Sequence, residues 1–189
     1  MKSLIVRFSQ YALLATLAVP VAIVSHEFGH FVSYWFFRAE AVRLLAFSVS
    51  AETEHLSPMQ LAVSSMVGPV ISYVTIIIAA LMTRKQYSPF WILLGMSAPI
   101  GRLVNGVYIY FRILGYQPNP NFDEYKFSRS LKIEPLIVSV PTMVFVIAVL
   151  FLFGRAAWKQ GGCWELGQVV VSILIGLAVW SQLGPMLLS

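Results

Sequence analysis

Five stretches of this chain stay apolar over about the length a bilayer demands: Tyr11 to Phe37, Gln60 to Met82, Phe90 to Leu114, Pro135 to Phe153 and Leu166 to Leu188. A spanning helix needs about 20 such residues. Inside hydrocarbon the backbone must satisfy its own hydrogen bonds, and a continuous apolar run does that as a helix. The expected fold is therefore all-α: a polytopic membrane protein with about five transmembrane helices and a short strand or hairpin after the first. Composition agrees, with 58% hydrophobic and 11% charged residues, where a soluble domain carries roughly 25% charged. The prolines and glycines inside these stretches are better tolerated in membrane helices than in soluble ones. No repeat, low-complexity tract or linker interrupts the chain. It reads as one integral membrane domain over residues 1–189, with a three-helix core at about 8–115 and two further helices at about 135–188.

The net charge of +5 does not suggest nucleic acid, because the basic residues are scattered through short connections and helix ends and form no stripe. The lipid bilayer is the expected partner, in a multi-pass protein of the cell membrane. Cys163 is the sole cysteine, which excludes an internal disulfide and Cys₄-type zinc chemistry. Met1 to Val24 has the outline of a signal peptide, with Lys2 and Arg7 ahead of an apolar run. Cleavage there would leave the rest of the first helix a stub, so the expectation is a retained helix, kinked at Pro20.

Against this apolar background, His26-Glu27-Phe28-Gly29-His30 stands inside the first helix. Titratable groups are costly in hydrocarbon and usually face a protein interior where they carry function. HExxH on a helix sets two imidazoles four residues apart on one face, where both reach one Zn²⁺. Glu27 projects from the adjoining face, placed to take a proton from a metal-bound water. A lone histidine would read as a polar residue packed between helices. Two histidines and a glutamate at this spacing read as a metal site.

The connections place other polar residues relative to this motif. Arg43 to Ser50 has the alternating, partly β-branched character of a strand, and Ala51 to His55 looks like a turn or exposed loop. Arg84 to Pro89 is a basic hinge. Gly115 to Glu134 is a long connection opening on a turn at Gln117 to Asn121, and Arg155 to Glu165 contains Gly161-Gly162. The HExxH end of the first helix and the connection bearing Asp123 and Glu124 fall on the same membrane side, because two crossings separate them. Asn105 in the third helix and the two histidines lie at similar depth, on the order of 10–16 Å from that side at about 1.5 Å per residue. Lys and Arg are nearly balanced across the two sides, so the positive-inside rule leaves orientation open.

With these elements in place, the chain resembles the site-2-protease family of intramembrane zinc metalloproteases. Three features carry the resemblance: Ser25-His26-Glu27-Phe28-Gly29-His30; Gly68-Pro69-Val70-Ile71-Ser72, similar to a GPxxN element with Ser72 in place of Asn; and Pro99 followed by Asn105-Gly106, where that family has Asp-Gly. It covers roughly Ala12 to Gly106. The resemblance implies a Zn²⁺ cofactor and cleavage of a membrane-embedded peptide or protein substrate. It also implies a third zinc ligand at the Asp-Gly aspartate, and here that residue is Asn105, a poorer ligand than a carboxylate. The ligand can have moved to Asn119 to Glu124 (NPNFDE), as in small site-2-protease-like proteins whose third acidic group precedes the next helix. On that reading Asp123 leads, then Glu124, then Asn105; as solvated loop acids beside Lys126 and Arg129, Asp123 and Glu124 would do nothing. Glu40, Glu52 and Glu54 are expected to face water, Glu134 and Glu165 to complement helix starts, and His55 to be a loop residue. Arg102 is expected to pair structurally or to snorkel, with an oxyanion role as the sharper reading, and Arg112 to snorkel.

The expected function is a zinc metalloprotease of the HExxH type with Glu27 catalytic and His26, His30 and Asp123 on the metal. The alternative is a catalytically inactive site-2-protease-like membrane scaffold or regulator, which Asn105 makes credible; a metal-binding or transport protein would have no special use for Glu27.

Overall fold

The structure, a computed structural model, describes residues 2–118 and 120–188, with side chains from residue 5 onward. Asn119, the first residue of the NPNFDE segment, lies outside the described residues. Helix α1 spans Lys2–Phe36 and runs through Pro20 without a break. It ends where Arg38 takes a left-handed φ of 59°, with the Ala39 N–H bonded back to the Tyr34 carbonyl at 3.0 Å. This is the Schellman pattern, which satisfies carbonyls left open at a helix end.

The chain then forms an antiparallel hairpin of β1 (Glu40–Leu44) and β2 (Val49–Glu52), pairing Leu44 with Val49 and Arg43 with Ser50. Of the strand or hairpin expected after the first helix, the structure has the hairpin, its turn closed by Leu45 N–H to Ser48 carbonyl at 2.9 Å. Alternation alone does not show where an extended run reverses.

Helix α2 (Pro58–Lys85) begins at a capping box: the Ser57 hydroxyl accepts from the Gln60 N–H while the Gln60 side chain accepts from the Ser57 N–H. The third apolar stretch is divided into α3 (Pro89–Arg102) and α4 (Val104–Ile113). At the junction Leu103 keeps right-handed dihedrals, but the bonds tighten to three-residue spacing, Leu103 to Ile100 and Gly106 to Leu103. Pro99 has already removed one helical donor nearby.

Within the long third connection lies a helix the sequence reading treated as loop: α5, Asp123–Leu131. Its Tyr125 and Ser128 are buried, and it packs on α2 and α6. Helix α6, Pro135–Leu187, is 53 residues long and is broken by non-helical Gly161 and Gly162. A straight helix of that length would measure about 80 Å, more than twice the roughly 30 Å hydrocarbon core. Instead it doubles back: Gly162 adopts φ 65°, and Leu166 lies against Gly154. Its two arms, 135–160 and 163–187, match the two further helices expected.

Four helical segments are long and apolar enough to cross a membrane: Ile5–Phe36, Pro58–Lys85, Pro89–Ile113 and the doubled Pro135–Leu187. The core centres on the small-residue face of α1 (Ala15, Ala18, Ala22), against which Ile92, Leu93, Phe153, Val169 and Ile173 are buried. Small residues let membrane helices approach closely where lipid gives no hydrophobic drive. Gly176 shows how close: a Cβ there would lie 2.7 Å from the Ala15 carbonyl oxygen.

Candidate metal centre

Helical spacing brings His26 and His30 onto one face of α1, with their Nε2 atoms 3.2 Å apart. Asp123, the first residue of α5, closes the group: Oδ2 is 3.1 Å from His26 Nε2 and Oδ1 is 3.4 Å from His30 Nε2. Among the described residues these three form the one cluster of His, Cys, Asp or Glu able to hold a metal ion. Zinc bonds of about 2.0–2.1 Å in tetrahedral geometry set ligand atoms roughly 3.3 Å apart. The two imidazole nitrogens and the Asp123 carboxylate are therefore close enough for one ion, the His26 contact being to Oδ2 and the His30 contact to Oδ1.

The hydrogen bonds behind the rings agree. His30 Nδ1 lies 2.7 Å from the Ser64 carbonyl, which can only accept, so Nδ1 carries the hydrogen and Nε2 presents a lone pair. His26 Nδ1 lies 2.9 Å from the Ser72 hydroxyl, which can donate or accept, and 3.4 Å from Arg102 Nη2, which can only donate. The two Nε2 atoms face each other across 3.2 Å, and partners on the far nitrogens are the usual way of aiming histidine ligands. Ser64 and Ser72 both come from α2.

Close approach of α1 and α2 makes room for this. A Cβ on Gly68 would meet His30 Nε2 at 2.3 Å, and one on Gly29 would meet the Gly68 backbone at 3.0 Å. The Gly-Pro element thus leaves space where the His30 ring lies.

Glu27 lines the same cavity, about 540 Å³ in volume, as His26, His30 and Asp123. It is half-buried and makes no hydrogen bond or ion pair among the described residues, which leaves its carboxylate available. The cavity is also lined by Phe47, Ser48 and Val49 of the hairpin and by Arg102, Asn121 and Lys126.

Neither Glu124 nor Asn105 belongs to the ligand cluster. Glu124 is wholly buried, ion-paired with Arg102, and accepts from Asn105 Nδ2 at 3.3 Å. Consecutive residues on a helix point about 100° apart, so Asp123 and Glu124 cannot face one ion together. An aspartate at 105 would set a second carboxylate against Glu124, and the amide avoids that repulsion. Arg102 is a paired group, as expected.

Other expectations divide. Glu40, Glu52, Glu54 and His55 are exposed, and His55 approaches only the Arg38 carbonyl, at 3.2 Å. Arg112 does not snorkel free; it pairs with Glu134, whose carboxyl it holds below the ordinary range. Glu165 is no exposed dipole partner either. It is 1% exposed, accepts from Tyr11 and Tyr87, and pairs with Arg7 at 3.3 Å. Sequence reasoning missed that clasp, Ser64 and Ser72 because each is made across helices. One signal was present: a lone acid at the edge of an apolar stretch.

A scan against protein-family models, a search of curated proteins and a search of solved structures find no match to this chain.

Proposed function

We propose that this protein is a zinc-dependent intramembrane endopeptidase, a multi-pass protein of a cell membrane that cleaves a membrane-associated or transmembrane peptide. One observation carries the reading: two imidazole nitrogens and a carboxylate converge at 3.1–3.4 Å in a cavity shared with Glu27, which makes no hydrogen bond or ion pair among the described residues. His26, His30 and Asp123 would hold the ion, leaving one tetrahedral position open, as catalytic zinc sites do. When bound, the ion lowers the pKa of a coordinated water towards neutrality and polarises a carbonyl.

The remaining steps belong to the chain's own groups. Glu27 accepts the proton of the attacking water and later donates one to the leaving amine. The Ser64 carbonyl keeps the His30 imidazole in the ligating tautomer, and the Ser72 hydroxyl holds the His26 ring in place. A helical substrate hides its carbonyls in its own hydrogen bonds, so it must be unwound locally. The hairpin, whose Phe47, Ser48 and Val49 border the cavity, offers strand edges for an extended segment to pair with.

The inactive-scaffold alternative drew its support from Asn105. That support weakens where Asp123 supplies a carboxylate at ligand distance and Asn105 serves Glu124. The test is cleavage of a transmembrane peptide carrying a Gly-Pro interruption, followed by mass spectrometry in detergent micelles, with zinc content measured on the same sample. Wild type should cleave, and Glu27→Gln should keep the metal and yield no product. Metal-free wild-type protein, or products that persist in Glu27→Gln, would overturn the reading.

A further inference from the structure

We infer that Arg102, acting through Glu124 and with Asn105, is a positioning residue that delivers Asp123 to the histidine pair. The inference rests on the metal-site reading above and adds how that site is assembled. Two ligands are fixed on α1, but the third arrives on α5, a nine-residue helix with no side-chain cap at its N-terminus. A helix that short is marginal alone, so the position of its first residue must be set by tertiary contacts. The contact nearest Asp123 is its neighbour.

Glu124 is held from the α3–α4 junction. Arg102, the last residue of α3, offers Nη1 to Glu124, and Asn105 in the first turn of α4 offers its amide at 3.3 Å. The same guanidinium turns Nη2 towards Asp123 Oδ2 at 3.5 Å, the oxygen that faces His26, and towards His26 Nδ1 itself at 3.4 Å. One planar fork thus touches both carboxylates of α5, a geometry lysine cannot reproduce with a single charged atom. The arrangement accounts for Asn105: the carboxylate removed from α4 reappears on α5, and the residue left behind holds the helix that carries it.

The experiment is zinc titration of the purified full chain, with the visible absorption spectrum of the Co²⁺-loaded protein as a reporter of coordination geometry. Arg102→Lys and Glu124→Gln should each bind zinc 10–100-fold more weakly, the usual cost of losing a partner behind a ligand, and should alter the Co²⁺ spectrum. Arg7→Lys is the control. It weakens the buried Glu165 clasp at the far end of α1 and should leave affinity and spectrum unchanged. Unaltered affinity and spectrum in Arg102→Lys and Glu124→Gln would overturn the positioning role while the metal site stands. An equal fall in Arg7→Lys would also overturn it, by showing general loosening. Wild-type protein that binds neither ion would overturn the site and this inference together.

Discussion

Replacing Gly68 by alanine puts a methyl carbon 2.3 Å from His30 Nε2, 2.7 Å from Cδ2 and 2.8 Å from Cε1. Ordinary contact begins near 3.4 Å, so ring or helix must retreat by about 1 Å, and overpacking of this kind costs typically 1–3 kcal/mol. The ring has little freedom, since its Nδ1 is tied to the Ser64 carbonyl at 2.7 Å and its chain continues through the Gly29 contact. Metal–ligand distances tolerate about 0.2 Å, a fifth of the shift. Gly68→Ala should therefore lose metal affinity by more than the 10–100-fold attached to an outer partner, with only a modest fall in Tm. Gly29→Ala should be milder, because it meets the flexible end of Ile71 at 2.9 Å and the Gly68 backbone only at 3.0 Å, a shift of a few tenths of an ångström. Gly167→Ala, with nothing within 4 Å, should be neutral or slightly stabilising, by up to about 1 kcal/mol of helix propensity. Elemental analysis and thermal unfolding of the three variants make the test. A Gly68→Ala protein with full zinc content and unchanged affinity would refute the placement of the His30 ring.

Further outcomes are expected at the same site and at its opposite end. Glu27→Gln should retain zinc and lose cleavage by about 10²–10⁴-fold, the usual contribution of a general base; initial rates from mass spectrometry at matched metal loading decide it. Asp123→Asn should lower zinc occupancy measured by elemental analysis, and Glu54→Gln, exposed in the connection, should not; equal occupancy in both would remove Asp123 from the ligand set. Tyr87 gives a pH dependence. Burial, and its hydrogen bond to Glu165 despite opposition from Tyr11, push its hydroxyl up to about 12. A raised pKa means the neutral form is favoured in the folded state, so its stabilisation is full below about pH 10 and is lost as pH rises through about 12. Thermal unfolding in detergent should show that alkaline decline in wild type and a shallower one in Tyr87→Phe; identical curves would count against the clasp.

The parts of this structure that were legible in the sequence are those set by local periodicity. Long apolar runs give helices whatever surrounds them, and HExxH fixes two imidazoles on one face by helix geometry alone. Asp123 was reachable from resemblance and topology, although its helix was not: DEYKFSRSL is short, polar and interrupted by serines, and burial of Glu124, Tyr125 and Ser128, with packing on α2 and α6, holds it helical. The hairpin turn at 45–48 was hidden because LeuLeuAlaPhe-type sequence continues the strand pattern on both sides. Glu165 and Arg112 were misplaced for a common reason. Each sits near a helix end, where a dipole or snorkelling reading suffices locally, and each is claimed by a residue from a distant segment: Arg7, Tyr11 and Tyr87 in one case, Glu134 in the other.

Trp180 donates its indole N–H to the Ala46 carbonyl at 3.0 Å, and Gly184 lies against both residues. The turn that borders the cavity is thus moored to the end of the chain, and Leu177 one turn earlier contributes to the cavity wall. During synthesis the histidines and Asp123 emerge well before their enclosure does. A chain synthesised only as far as α5 would carry His26, His30 and Asp123 without Leu177 or the Trp180 tether. That part of the cavity wall is set only when the second arm of α6 packs against the hairpin turn.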